Sequence, residues 1–241
     1  MPRVFVDKNE LPEITGPAVH HLRDVLRLKA GEAIDLLDGL GNIHHAKIIT
    51  LGKERISCQV LSSEKMLTEP AVKVALAQAL PKAAKMDLII EKCTELGVTS
   101  IIPLITARTE AKTAKLERWQ KIAKAAAEQS GRAIIPEITS PLKFANVLQL
   151  KDQYDLALIP WELEQETKLK QALISKFPNS PIRITQSPNI LILIGPEGGF
   201  TQQEIELAKN AGFTPVSLGK TILRTETAGL AALAAIMYEL E

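Results

Sequence analysis

Aromatic side chains make up only 4% of this 241-residue chain, and cysteine occurs twice, at Cys58 and Cys93. Two cysteines build neither a disulfide framework nor a CxxC metal knuckle. Falling in a predicted strand and a predicted helix of different domains, they read as ordinary buried thiols. Charge of one sign is also missing. There are 29 Lys and Arg against 28 Asp and Glu, a net +1, which excludes the strongly basic coat of a general nucleic-acid binder. Long apolar runs are absent. A stretch such as residues 190–195 is far too short to span a bilayer, and the opening MPRVFVDKNELPEITG has no signal-peptide core. A cytoplasmic protein with no membrane association is expected. Histidine is confined to two adjacent pairs, His20–His21 and His44–His45. No acidic or cysteine partner stands at ligand spacing, and neighbours on a strand point to opposite faces, so no metal is expected.

What is present is 46% hydrophobic and 24% charged, ordinary for a globular chain that can bury a core. The first seventy residues are rich in strand formers, with candidates at 3–6, 33–37, 43–51 and 55–61. Asp38-Gly39 and Gly41-Asn42 mark a turn between two of them. One helix interrupts the set: Pro17 suits a first helical position, and Val19, Leu22, Val25 and Leu26 then share a face. The polar segment 62–70 ends in proline, so the expected division is 1–70, a small β-barrel domain, and 71–241.

After position 70 strands and helices alternate. Near-continuous apolar runs at 155–160 and 190–194 read as strands buried on both faces. Helices are expected at 83–96, 114–130 and 202–211, the last opened by a Thr201–Glu204 capping box. Thr225 is placed as the cap of a final helix that buries Leu230, Leu233, Ala234 and Met237. The pattern predicts a parallel α/β sheet covered on both faces. Ligands of such sheets bind beyond the carboxyl ends of the strands, and two loops there stand out.

The first is Gly195-Pro196-Glu197-Gly198-Gly199. Its glycines allow close backbone approach. It is no Walker loop, since no Gly-Lys-Ser/Thr follows, and Pro196 and Glu197 break the GxGxxG spacing. A glutamate there disfavours phosphate, so a cofactor without phosphates fits better. A tight strand-to-helix turn explains the glycines equally well. The second loop, LGKTILRTETA at 218–228, puts Arg224 and Glu226 near a helix start. These could serve as a helix-capping charge pair.

ILIGPEGGFTQQEI at 192–205 followed by LGKTILRTETA at 218–228 resembles the paired cofactor motifs of the SPOUT methyltransferases. PRVF at 2–5, HHLRDVLRLKAGE at 20–32, EKCTELGV at 91–98, RTE at 108–110, RW at 118–119 and AAEQSGR at 126–132 extend the likeness over nearly the whole chain. Together they resemble the bacterial 16S ribosomal RNA uridine-N3 methyltransferase family.

That resemblance implies a C-terminal trefoil-knotted α/β domain, an N-terminal PUA-like or OB-like barrel, S-adenosylmethionine as cofactor and a homodimer formed through the C-terminal domain. The implied substrate is a uridine N3 of 16S RNA in the small ribosomal subunit. Arg224 is then the candidate for stabilising the uracil anion, being a poor base itself. Glu197 and Glu226 are candidate bases, and Glu197 is preferred because a helix dipole keeps Glu226 charged. The cofactor is expected against Pro160, Ile194, Gly195, Pro196, Glu197, Gly198, Gly199, Leu218, Gly219, Leu223, Arg224 and Thr225. RNA docking is assigned to Arg3, Arg23, Arg27 and Lys29 in the small domain and to Arg108, Arg118 and Arg132 in the large one. Each of these is an ordinary surface charge on the plainer reading. Two other functions fit the same motifs: a SPOUT methyltransferase acting on a transfer RNA ribose 2′-hydroxyl, and a non-catalytic RNA-binding assembly protein.

Overall fold

Short runs of Val, Ile and Leu broken by Asp-Gly and Gly-Asn turns favour hairpins, and the start of the chain folds accordingly. A computed structural model describes residues 1–66, 69–110, 113–178 and 187–241. The chain divides into two units: Met1–Glu69 with Ala127–Ile135, and Pro70–Ala126 with Pro136–Glu241.

In the first unit, strands β1 (Arg3–Phe5), β2 (Glu13–Thr15), β3 (Ala33–Leu37), β4 (Asn42–Leu51) and β5 (Arg55–Lys65) form one sheet in the order β1-β3-β4-β5-β2. β1 runs parallel to β3, and the other pairs are antiparallel. Register shifts between His45 and Ala46 and between Ile48 and Thr50 bend the long β4–β5 ribbon. The sheet curls into a half-barrel around Val4, Ile14, Ile34, Leu36, Ala46, Ile48 and Ile56. Strand β2 escapes the sequence pattern because it is only three residues long.

Helix α1 (Pro17–His20) starts at the proline and continues as a π-turn, His21–Val25. This overturns part of the expected apolar face. Val19 and Leu22 are buried, but Val25 and Leu26 are 59% and 45% exposed. The Leu26 N–H donates to the His21 carbonyl at 2.9 Å, an i→i+5 bond, and the wider winding turns the following residues out of phase.

Ala127–Ile135 joins this unit through its backbone. Ala133 and Ile134 N–H both donate to Glu69 Oε1 at 3.1 Å, and Ile134 bridges Leu40. Arg132 is 4% exposed and lies 2.6 Å from Glu69 Oε2. Its assignment to RNA docking is therefore corrected: a buried guanidinium held by a carboxylate is a structural ion pair.

The second unit is a parallel sheet. Its strands are β6 (Lys73–Ala79), β7 (Ser100–Ile105), β8 (Glu137–Ile138), β9 (Leu142–Lys143), β10 (Leu156–Pro160), β11 (Asn189–Ile194) and β12 (Thr214–Val216). The order is β12-β10-β11-β6-β7-β8, with β9 also on β7. Central strands are buried on both faces, as their apolar runs predict: Ile190 to Leu193 and Leu158 are fully covered.

Helix α2 (Lys85–Glu95) buries Met86, Ile89, Ile90 and Cys93 and stops at Gly97, whose φ is +94°. Beyond it come α3 (Leu116–Ser130), α4 (Phe144–Leu148), α5 (Leu169–Lys176), α6 (Gln202–Asn210) and α7 (Thr225–Leu240). The capping box of α6 is present, with Glu204 N–H on Thr201 Oγ1 at 3.1 Å and Thr201 N–H on Glu204 Oε2 at 2.9 Å. Thr225 is not the cap of α7. Arg224 holds that position, and Thr225 is the first helical residue, buried, with its hydroxyl turned to the sheet. Among the expected apolar residues of α7, Leu233 and Met237 are buried, whereas Leu230 and Ala234 are half-buried. Gly229, Ala232 and Ile236 complete the inner face.

Both cysteines are buried and free, and burial pushes the thiols up to about 11 at Cys58 and about 12 at Cys93. Among the described residues no helix is long and apolar enough to cross a membrane.

His45 carries a testable consequence of the half-barrel. Its Nδ1 lies 2.8 Å from Asp35 Oδ1 and its Nε2 3.2 Å from Glu64 Oε1. Hydrogen bonds to Asp35 and then Glu64 raise its pKa. A raised histidine pKa gives stability that is fully present below the unfolded value of about 6.5 and is lost as pH rises through the folded value. His45→Gln keeps a donor but no charge. Thermal unfolding should show the largest deficit below about pH 6.5, shrinking at higher pH. A deficit independent of pH would remove His45 as a charged partner.

Candidate active site

Parallel strands deliver their carboxyl ends to one edge of the sheet, so the segments leaving β10, β11 and β12 meet there. They enclose a cleft of about 470 Å³, the size of a nucleoside-class ligand site. The structure brings every residue assigned to cofactor contact onto its wall: Pro160, Ile194, Gly195, Pro196, Glu197, Gly198 and Gly199 on one side, and Leu218, Gly219, Leu223, Arg224 and Thr225 on the other.

The glycine loop closes as a turn, Gly199 N–H donating to the Pro196 carbonyl at 2.9 Å. Gly199 has φ +67°, a left-handed conformation that favours glycine, and Glu162 Oε1 lies on its Cβ side. Gly219, at φ +131°, has open space on its Cβ side. Bare glycine backbone on one wall and a lining of mixed charge, Glu162 and Glu197 beside Lys85, Lys220 and Arg224, suit a zwitterionic ligand without phosphate. S-adenosylmethionine has those properties, so the residues fit it.

Two ties hold the cleft together. Thr225 Oγ1 donates to the Gly195 carbonyl at 2.6 Å and accepts from the buried Gln78 Nε2 at 2.9 Å. On the far side of the glycine loop, Arg108 Nη1 donates to the Gly198 carbonyl at 2.6 Å. Ala107 N–H donates to Glu204 Oε1 at 2.8 Å, anchoring the same segment to the start of α6.

Glu197 Oε1 accepts from Lys82 N–H at 3.0 Å and Lys85 Nζ at 3.1 Å. Partial burial pushes its carboxyl up, but its own N–H, the Lys82 N–H and the Lys85 ammonium prevail and hold it below the usual range. At Glu226 burial likewise pushes up, and its own N–H, Lys85 and the charge of Arg224 bring the carboxyl below the usual range. Both are therefore ionised and weakly basic, and the preference for Glu197 over Glu226 as base loses its physical ground. Arg224 is exposed at the cleft wall, and its guanidinium makes no hydrogen bond or ion pair among the described residues.

The residues expected at RNA disperse. Arg118 pairs with Asp87 at 2.7 Å while 62% exposed. Arg108 packs on the glycine loop. In the first unit Arg3 stands 3.5 Å from Asp35, Arg23 forks onto Asp24 with two 2.7 Å bonds, and Arg27 and Lys29 are exposed. Sequence reasoning missed Lys85, Trp161, Glu162 and Phe200 on the cleft wall. For Trp161 and Glu162 a signal existed, since they follow the end of β10 directly; Lys85 had none.

A family profile described as an RNA methyltransferase domain matches residues 68–237, and one described as an RNA methyltransferase PUA domain matches 14–61. Fold and cleft thus define an RNA methyltransferase with a PUA domain. Ribosomal RNA small subunit methyltransferase E of Bacillus subtilis is 36% identical over 100% of this chain and 98% of its own length. The Synechocystis protein of the same name is 39% identical over 95% of this chain and 73% of its own length. The crystal structure of the Neisseria gonorrhoeae enzyme of that name, bound to S-adenosyl methionine, superposes with a TM-score of 0.83 at 35% identity, covering 99% of this chain and 97% of that one. The chain belongs to the ribosomal RNA small subunit methyltransferase E family.

A branched side chain at Gly198 tests the loop. A Cβ there comes 3.3 Å from Arg108 Cδ, so Gly198→Val should push Arg108 off the Gly198 carbonyl, loosen the loop and weaken S-adenosylmethionine binding in calorimetry, with the fold intact by circular dichroism. Wild-type affinity would remove the glycine loop from the cofactor site.

Proposed function

We propose that this enzyme methylates N3 of a uridine in 16S ribosomal RNA of the small subunit, with Arg224 stabilising the uracil anion. The observation that carries the reading is an exposed guanidinium on the wall of the cleft, without a hydrogen bond or ion pair among the described residues. S-adenosylmethionine, when bound, supplies an electron-poor methyl group. The glycine-loop backbone and the 218–224 loop orient the donor. N3 lies on the Watson–Crick edge, so the base must be unpaired or flipped out to reach the cleft. Its lone pair becomes available as the N3 proton leaves and charge builds on O2 and O4. Arg224, always protonated, meets that charge with a planar fork of donors. Glu197 and Glu226 are weak bases and take up the proton only because the anion is stabilised beside them. Positioning supplies much of the rest.

Residues 1–70 act in this reading as the PUA-like RNA-binding module and 71–241 as the catalytic domain, whose loops 195–199 and 218–224 thread as a knot. The Thr225–Gly195 bond between those loops supports the threading. The working unit is a homodimer through the second domain, acting in the cytoplasm. Support comes from the outward face of α7, where Tyr238 is 88% exposed, and from Ile222, 84% exposed. Arg3, Arg23, Arg27 and Lys29 dock RNA through phosphates, which position rather than read sequence.

Two outcomes follow. Arg224→Ala should leave cofactor binding largely intact and slow single-turnover methylation of purified small subunits by about 10²–10³ with cofactor saturating. Arg224→Lys should recover part of that, because a point charge lacks the fork. An unchanged rate would reduce Arg224 to a helix-start charge. Removing Arg27 and Lys29 together should weaken subunit binding and make its logarithmic salt slope shallower by about 1 for each phosphate no longer neutralised. An unaltered slope in filter binding would take both residues off the RNA.

A further inference from the structure

We propose that Lys85 is a positioning residue for methyl transfer: it ties the glycine loop to the helix start that carries Arg224. The inference rests on the reading of Arg224 as the group facing the uracil.

Lys85 opens α2, and its ammonium sits between two carboxylates on different loops. Nζ is 3.1 Å from Glu197 Oε1 and 3.2 Å from Glu226 Oε2. Glu197 belongs to the loop after β11. Glu226 lies two residues beyond Arg224 in the first turn of α7. One cation therefore spans the two walls of the cleft.

The contact to Glu226 has the distance of an ion pair but not the geometry of a hydrogen bond, and Glu226 Oε2 is buried with no hydrogen-bond donor among the described residues. The charge of Lys85 helps to offset that burial, together with the Glu226 N–H and the charge of Arg224. Lys82 cannot replace it, because its own ammonium is 2.8 Å from Glu110. The turn leading into α2 is built to serve this contact. Ala83 has φ +55°, a left-handed conformation seldom adopted by a residue with a Cβ. That turn presents both the Lys82 N–H and the Lys85 ammonium to Glu197. Backbone held in such a conformation persists where the surroundings over-determine it, often at functional sites.

The charged groups facing Lys85 are Glu197 from the glycine loop, Glu226 from α7, and Lys82 from its own turn, with Arg224 acting on Glu226. Without the ammonium, the burial that already opposes both carboxylates is less countered, and both become easier to protonate. The first turn of α7 also loses its anchor, and Arg224 leaves its seat with it.

Full-length Lys85→Met and Lys85→Arg test this. Three readouts are needed: single-turnover methylation of small subunits across pH, S-adenosylmethionine binding across pH followed by tryptophan fluorescence (Trp161 lines the cleft), and thermal unfolding. Lys85→Met should lower kcat by about 10²-fold with KM for subunits nearly unchanged. The acid limb of both the rate and cofactor binding should move up by about one pH unit. Lys85→Arg should restore most of the rate and the original limb. Wild-type kinetics, or a rate loss with unmoved acid limbs, would overturn the proposal. If Lys85→Met does not fold, the double variant Lys85→Met/Glu226→Gln removes the uncompensated buried charge, and the limb of Glu197 is read in the same way. Loss of the Arg224 reading would show separately, as an active Arg224→Ala, and would leave the cofactor-binding limb of Lys85→Met as the deciding measurement here.

Discussion

A hydroxyl buried between two loops holds the cofactor cleft in shape. Thr225 gives its proton to the Gly195 carbonyl and takes one from the Gln78 amide, so strand β6, the end of β11 and the start of α7 are joined through one oxygen. Thr225 and Gln78 lie away from water, where a hydrogen bond is electrostatically stronger and an unmade one costs more. Gln78 Oε1 has no hydrogen-bond partner among the described residues, and a Cβ on Gly229 would come within 2.9 Å of it. Helix α7 can therefore sit this close to the sheet only with glycine at that position. Close seating brings Arg224 and Glu226 to the strand ends.

The charges around the cleft follow from that seating. Glu162 and Glu197 border the glycine loop, and Lys85 and Arg108 are bonded to it, so the loop stands among paired charges. Glu197 and Glu226 are held ionised by neighbouring N–H groups and by Lys85, so strong base catalysis is not available from them. What remains is a fixed cation, Arg224, and fixed backbone. In the function proposed above, such a site accelerates methyl transfer by holding donor and acceptor in line and by meeting charge where it develops. Arg108 belongs to the same design, since its bond to the Gly198 carbonyl steadies the loop from outside.

Sequence alone determined the alternation of strand and helix and the two loops at the strand ends that line the cleft. The reason is local: apolar runs, capping boxes and glycine turns are written in consecutive residues and need no distant partner. Resemblance added the cofactor and the reaction, which no periodicity contains. Tertiary structure decided the rest. Arg132 looked like any basic residue until Glu69, far away in sequence, was found to bury it. Val25 and Leu26 kept helical spacing but lost the core to one π-turn. Thr225 had the composition of a helix cap, yet its hydroxyl serves the sheet. Lys85 had no local signal at all, because a side chain becomes a clamp only when folding brings two carboxylates from remote loops within reach of one ammonium.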